Sequence, residues 1–328
     1  MLPGKVPPEK LREIVFNHLG VEDERVLIGP SVGIDAAAID FGGRVLIATS
    51  DPITGAEKGI GYYAVNVNAN DVATMGARPR WFLVTILLPE TAGEALLREI
   101  MDDIHRSARE IGVAVIGGHT EVTVGLERPI VLGTMLGEVE KGRLVHAGNA
   151  KPGDAVILTK GLAIEGTAII AAEREEELRA AYGDDFVERA KSFLRKISVV
   201  KDAMVAMEVG VNAMHDPTEG GVANGLHEMA EASNLGFRVY GERFPIAEET
   251  RVICEHFNLD PLALISSGAL LIAAPPERAK KVVDALRAEG ITAEVIGEFL
   301  EEKKRVIVVD GEERPLPQPK TDELWKVV

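Results

Sequence analysis

Cysteine is almost missing from this chain: Cys254 is the single one among 328 residues. One cysteine excludes an internal disulfide framework and any metal site built from several thiolates. Set in the helix-like stretch RVICEHFN, it reads as a small buried thiol rather than a nucleophile. Positive charge is also short. Lys and Arg total 36 against 52 Asp and Glu, for a formal net charge of -16. That balance argues against broad nucleic-acid binding, because phosphate contacts need surplus cations. It leaves nucleotides open, since a metal can bridge a small polyanion to carboxylates. No apolar run approaches the ~18–20 residues that span a bilayer. The opening MLPGKVPPEKLREI lacks the continuous apolar segment of a secretory signal, so no membrane partner and a cytoplasmic location are expected. A Walker A loop and a Gly-x-Ser-x-Gly elbow are absent, and His119, His215 and His227 lack metalloprotease spacing. Gly59–Ala64 matches G-x-G-x-x-A, but TGAEK rather than an apolar strand precedes it, so it is not a dinucleotide fingerprint.

What is present suffices for two cores. Hydrophobic residues make up 46% of the chain, and a prior of roughly 150 residues per domain suggests two domains. The turn KPGD at Lys151–Asp154 marks the expected boundary, giving residues 1–150 and 151–328. LREIVFNHLG reads as a short amphipathic helix. GIDAAAIDFGGRVLIATSDP follows as a β-hairpin, and GYYAVNVNANDVATMGA as a buried helix closed by Gly76. WFLVTILL is a continuous apolar run of central-strand length. Residues 92–111 have helical spacing, VAVIGG and PIVLGTMLGEV read as strands, and AVILT opens the second half. HDPTEGG opens a helix from Val222, and DGEERPLPQPKTDELWKVV reads as an irregular tail. Strands and helices alternate without a short repeat, the pattern of an α+β or α/β protein with two comparable halves.

Acidic residues stand at the edges of these elements: Asp35, Asp51, the pair Asn70–Asp71, and Asp216. Two readings stand for most of them. Asp35 and Asp216 suit turn or N-cap positions, and Asp51–Pro52 is a common turn pair. The alternative is ligation. Asn70–Asp71 favours it, because both residues weaken a helix interior and a buried carboxylate needs a partner. No Lys or Arg lies within a helical turn of Asp71. Asp35 and Asp51 flank the open end of the hairpin, so they should lie side by side, where two carboxylates repel unless a cation separates them. The glycines of IGGHTEV and DPTEGGV either supply turn geometry or bring backbone amides to a ligand.

Taken in order, these segments resemble the PurM-like ATP-binding superfamily, which includes aminoimidazole ribonucleotide synthetase, selenophosphate synthetase, thiamine-monophosphate kinase and the hydrogenase maturation factor HypE. "GIDAAAI", "ATSDP", "NANDVATMGARP", "IGGHTEV" and "HDPTEGGVANGLHEMAEAS" carry the resemblance over about residues 28–300. It implies an α+β, two-domain fold: an N-terminal domain that dimerises through its sheet, then a C-terminal α/β domain. It also implies ATP with Mg2+, lying in a cleft between the domains. By position, Asp35, Asp51, Asp71 and Asp216 would hold metal. Asn70, Gly118, Thr120 and Thr218 would join Asp35 and Asp51 around the nucleotide. Asp71, His119 and Asp216 would carry the catalytic roles.

The second half is most similar to HypE, through DPTEGGVANGLHEMAEASNLGF and LDPLALISSGALLI. Two departures matter. KTDELWKVV lacks the tail cysteine on which HypE forms a nitrile, and Ser267–Gly268 stands where HypE has Glu-Gly. The resemblance therefore implies an ATP-dependent enzyme that activates a carbonyl, amide or similar acceptor, but not one on its own tail. Two alternatives accompany it: a small-molecule kinase, and a non-catalytic module that assembles with a maturation partner. Specificity is expected in the loops Gly55–Lys58 and Lys160–Gly166.

Overall fold

A computed structural model of the chain describes residues 6–54 and 58–328; the expected specificity loop at Gly55–Lys58 lies outside them except for Lys58. The chain divides into two compact units. One comprises Glu24–Gly29 and Asp35–Leu144. The other comprises Val145–Val328, joined by residues up to Asp23 and by Pro30–Ile34.

The N-terminal segment departs from the amphipathic helix expected of it. Pro7 and Pro8 start a single turn, α1 (Pro8–Lys10), which passes into a wider π turn over Leu11–Val15. Ile14, Val15 and Leu19 remain exposed, so no apolar stripe is buried to hold a longer helix.

The first unit is a six-stranded sheet under two helices. Its strands are β1 (Val26–Ile28), β2 (Ala37–Asp40), β3 (Arg44–Ile53), β4 (Arg78–Leu88), β5 (Ala114–Val122) and β6 (Ile130–Glu140), in the order β1-β2-β3-β6-β4-β5. Only β4 and β5 pair in parallel, joined by the crossover helix α3 (Glu94–Ile111). Val45, Ile47, Phe82, Val84, Ile86, Val131 and Met135 supply the buried face by alternation. Helix α2 (Ile60–Thr74) is buried along almost its whole length. β5 does not stop at its glycines but runs on through Val122. A Cβ on Gly118 would fall 1.8 Å from the Val84 carbonyl oxygen, so this parallel pairing requires glycine there. β5 is an edge strand, and every one of its residues is exposed.

The second unit is a seven-stranded sheet with helices packed on it. Its strands are β7 (Ala155–Thr159), β8 (Ala213–His215), β9 (Gly236–Tyr240), β10 (Leu271–Ala274), β11 (Ala293–Leu300), β12 (Arg305–Val309) and β13 (Glu312–Pro315), ordered β13-β12-β9-β11-β7-β10-β8. Its helices are α4 (Ile164–Glu173), α5 (Glu175–Tyr182), α6 (Asp184–Lys191), α7 (Val200–Val209), α8 (Gly221–Ala232), α9 (Glu248–Phe257) and α10 (Pro276–Ala288). Val156, Leu158, Leu226, Phe237, Leu264 and Phe299 sit in one core cluster.

The tail is not irregular. Asp310 and Gly311 both have positive φ and close a two-residue hairpin between β12 and β13, the geometry an Asp-Gly pair favours. Beyond it, Leu316 and Leu324 enter the core.

Candidate functional sites in the two units

In the first unit the sequence places alternate residues Val45, Ile47, Thr49 and Asp51 on one face of β3. Thr49 is where strand and helix meet. Its hydroxyl lies 2.7 Å from Oδ2 of Asp71 and 3.2 Å from the Asp35 carbonyl oxygen. Asp71 is only 7% exposed and Asn70 is fully buried. Asp51 is held through its backbone: its N–H donates to Asn68 Oδ1 at 2.9 Å, and its carbonyl accepts from Asn68 Nδ2 at 3.2 Å. A Cβ on Gly133, the ladder partner of Asp51, would fall 2.3 Å from Asn68 Nδ2, so glycine there makes room for this amide. The β2–β3 ladder begins at Ala37 and Ala48, and Asp35 lies just ahead of it, its backbone carbonyl accepting from the Thr49 hydroxyl. The Thr49 hydroxyl thus joins the Asp71 carboxylate to the Asp35 backbone, with Asp51 two residues along β3.

The β5 residues stand apart from them. β6 and β4 intervene between β3 and β5, three strand spacings or about 14 Å. Gly118 and Thr120 are exposed on that strand, and His119 lies open to solvent with Nε2 3.1 Å from Glu121.

In the second unit β7 and β8 end where β10 begins, since Leu271 pairs with both Leu158 and His215. Three loops therefore crowd one end of the sheet: 160–163, 216–220 and 264–270. Asp216, 2% exposed, follows β8, and the preceding His215 lies 2.9 Å from Glu228. The Thr218 carbonyl accepts from the amides of Gly221 and Ser266, tying two of the loops. Ser266 Oγ accepts from the Ala163 amide and ties in the third. Lys160 reaches beneath them to the carbonyls of Ser198 and Gly268 and to Asp202, 3.1 Å away. Burial lowers its pKa against the pull of Asp202.

Sequence reasoning missed three side chains here. Asn68 lies inside a quoted motif, and only the strand packed on it reveals its task. Glu165, 7% exposed, sits in the first turn of α4, and burial pushes its carboxyl up to about 7. Asp322, in the tail, accepts from the amides of Gly220 (2.6 Å), Leu324 (2.8 Å) and Ile265 (3.2 Å). Burial still raises its pKa despite those three donors. Asp322→Ala would leave these amides without their acceptor, and a loss of about 2 kcal/mol in urea unfolding is expected.

The sequence matches the family model "AIR synthase related protein, N-terminal domain" over residues 33–139, and its C-terminal counterpart over 151–310. It is 31% identical to a putative hydrogenase expression/formation protein of Methanocaldococcus jannaschii, over 93% of this chain and 91% of that one. It is 30% identical to carbamoyl dehydratase HypE of Azotobacter vinelandii, over 82% of this chain and 79% of the relative. Its fold superposes on a crystal structure of the hydrogenase maturation protein HypE in complex with ATP. The TM-score is 0.74 and the identity 25%, covering 99% of this chain and 98% of that one.

Proposed function

Because this chain belongs to the AIR synthase related protein family, we propose that it is an ATP- and Mg2+-dependent enzyme that activates the carbonyl oxygen of a carboxamide-type acceptor carried by another molecule. The observation that carries this reading is the cluster at the end of β3. The hydroxyl of Thr49 meets both a nearly buried carboxylate, Asp71, and the backbone carbonyl of Asp35, with Asp51 two residues along the same strand. All of these donors are hard oxygens, the set that suits Mg2+. Bound there, the ion would supply charge neutralisation for the nucleotide phosphates. Asp35, Asp51 and Asp71 are its ligands in this unit, with Asn70 beside them. Gly118, His119, Thr120, Asp216 and Thr218 keep the nucleotide and catalytic roles that the family pattern gives them, within domains 1–150 and 151–328.

The ATP complex of the HypE relative and the name carbamoyl dehydratase support the nucleotide and the acceptor class. Dehydration of a carboxamide balances as follows. The carbonyl oxygen bonds to the γ-phosphorus and ADP departs with the electron pair of the broken P–O bond. The nitrogen gives up two protons as the C–O bond breaks, leaving nitrile, ADP and phosphate. Cys254 does not serve as the acceptor's carrier, for it is 4% exposed and burial pushes its thiol up to about 12. An acceptor carried by another molecule is consistent with this buried thiol and with a maturation partner.

A second copy of the chain is proposed to cover β5, whose exposed residues include Ile116 (52%) and Val122 (60%) along an unpaired edge. Titration calorimetry tests the main reading: ATP should bind with Mg2+ and much more weakly with EDTA. Absence of binding under both conditions would overturn it.

A further inference from the structure

Glu165 is not used by the reaction as outlined so far. Its carboxyl is hydrogen-bonded by the hydroxyl and backbone N–H of Ser267. Among the described residues, its second oxygen, Oε2, has no hydrogen-bond partner although it is buried. A carboxylate kept for structure is ordinarily paired with a cation. Here the charges acting on it are Asp322 and Glu219, both negative. The cations on surrounding elements are engaged elsewhere. Lys160 is held by Asp202 and two carbonyls, Arg189 on α6 pairs with Glu249 on α9, and Lys196 lies over the Phe193 ring.

The backbone around Glu165 is strained. Lys160 (φ 59) and Ala163 (φ 52) both adopt left-handed conformations without being glycine. Such residues cluster where function fixes the chain against its preference. The helix N-terminus favours an ionised carboxylate, yet burial outweighs it, and the group is poised to exchange a proton near neutral pH. The flanking Thr218 and Glu219 are only half-buried, the side from which a ligand would reach the loop.

We propose that Glu165 is a catalytic residue of the C-terminal unit, accepting through Oε2 a proton from an uncharged N–H- or O–H-bearing acceptor. This rests on the ATP-dependent reading and narrows it. With Glu165, Glu219 and Asp322 together, this loop cluster disfavours acceptors that carry a carboxylate and suits a neutral carboxamide. In the dehydration, Glu165 takes one of the two protons that leave nitrogen as the C–O bond breaks, and the departing phosphate takes the other.

The test compares Glu165→Gln with Glu165→Asp in the full chain, using S-ethyl thiocarbamate as the probe. Measured are MgATP affinity, ADP release with the probe, and the NMR shift of 13C-labelled Glu165 when the probe is added. Glu165→Gln should bind MgATP as the parent does and release ADP about 100-fold or more slowly, while Glu165→Asp should retain the greater activity. A packing role predicts the reverse order, since Gln matches the shape of Glu. Turnover preserved in the Gln variant, or a Glu165 resonance that ignores the probe, would overturn the proposal. A Glu165 resonance that responds in a protein failing to bind MgATP would count against the nucleotide reading alone.

Discussion

Asp71→Asn is expected to weaken Mg2+-dependent ATP binding by about 100-fold or more, read by calorimetry, while leaving the melting temperature of the unliganded protein nearly unchanged. Asparagine has the shape of aspartate and still accepts from the Thr49 hydroxyl, which now lies 2.7 Å from Asp71 Oδ2. What is lost is a nearly buried negative charge, 7% exposed. Removing one member of a buried charged pair typically costs about 3–5 kcal/mol, which corresponds to roughly 10²–10⁴-fold in affinity. The loss should vanish in EDTA, where both proteins bind weakly. Equal affinity in Mg2+ would assign Asp71 to the Thr49 contact alone.

The second large effect is on stability. Folding raises the Glu165 pKa from 4.5 to about 7, chiefly by burial. A carboxyl raised in the folded state favours folding most where both states are protonated, below 4.5. The advantage is lost as pH rises toward about 7, because the unfolded chain ionises first. Between about pH 5 and about pH 8 the parent should therefore lose about 2–3 kcal/mol that Glu165→Gln does not. Urea titrations of both proteins at the two pH values give the double difference. Parallel pH dependence would mean that Glu165 ionises as readily inside as outside.

Local signals brought the sequence far. Strand alternation, the helix at Ile60–Thr74 and the ordered acidic motifs pointed to the superfamily, which matches over both halves support. Asp71 drew notice because a helix interior gives a carboxylate little to do, whereas Asp35 and Asp51 suit turns singly and stood out as a pair at the open end of one hairpin. Glu165 and Asp322 gave no such signal. Charged residues in a first helical turn and in a polar tail look ordinary, and their burial arises from segments about 100 and 57–102 residues distant. Asn68 was passed over because its partner, the Asp51 backbone, is a strand rather than a neighbour on the helix. The Asp-Gly pair at Asp310–Gly311 is the local signal of the hairpin found there, although DGEERPLPQPKTDELWKVV reads from sequence as an irregular tail.

Asp322 has a practical consequence. Its carboxylate joins the end of the chain to Gly220, 102 residues away, and the amide it holds belongs to the loop that also carries Asp216 and Thr218. Trimming at a terminus is ordinarily harmless. Here a protease that cuts ahead of Thr321 would release the anchor of that loop.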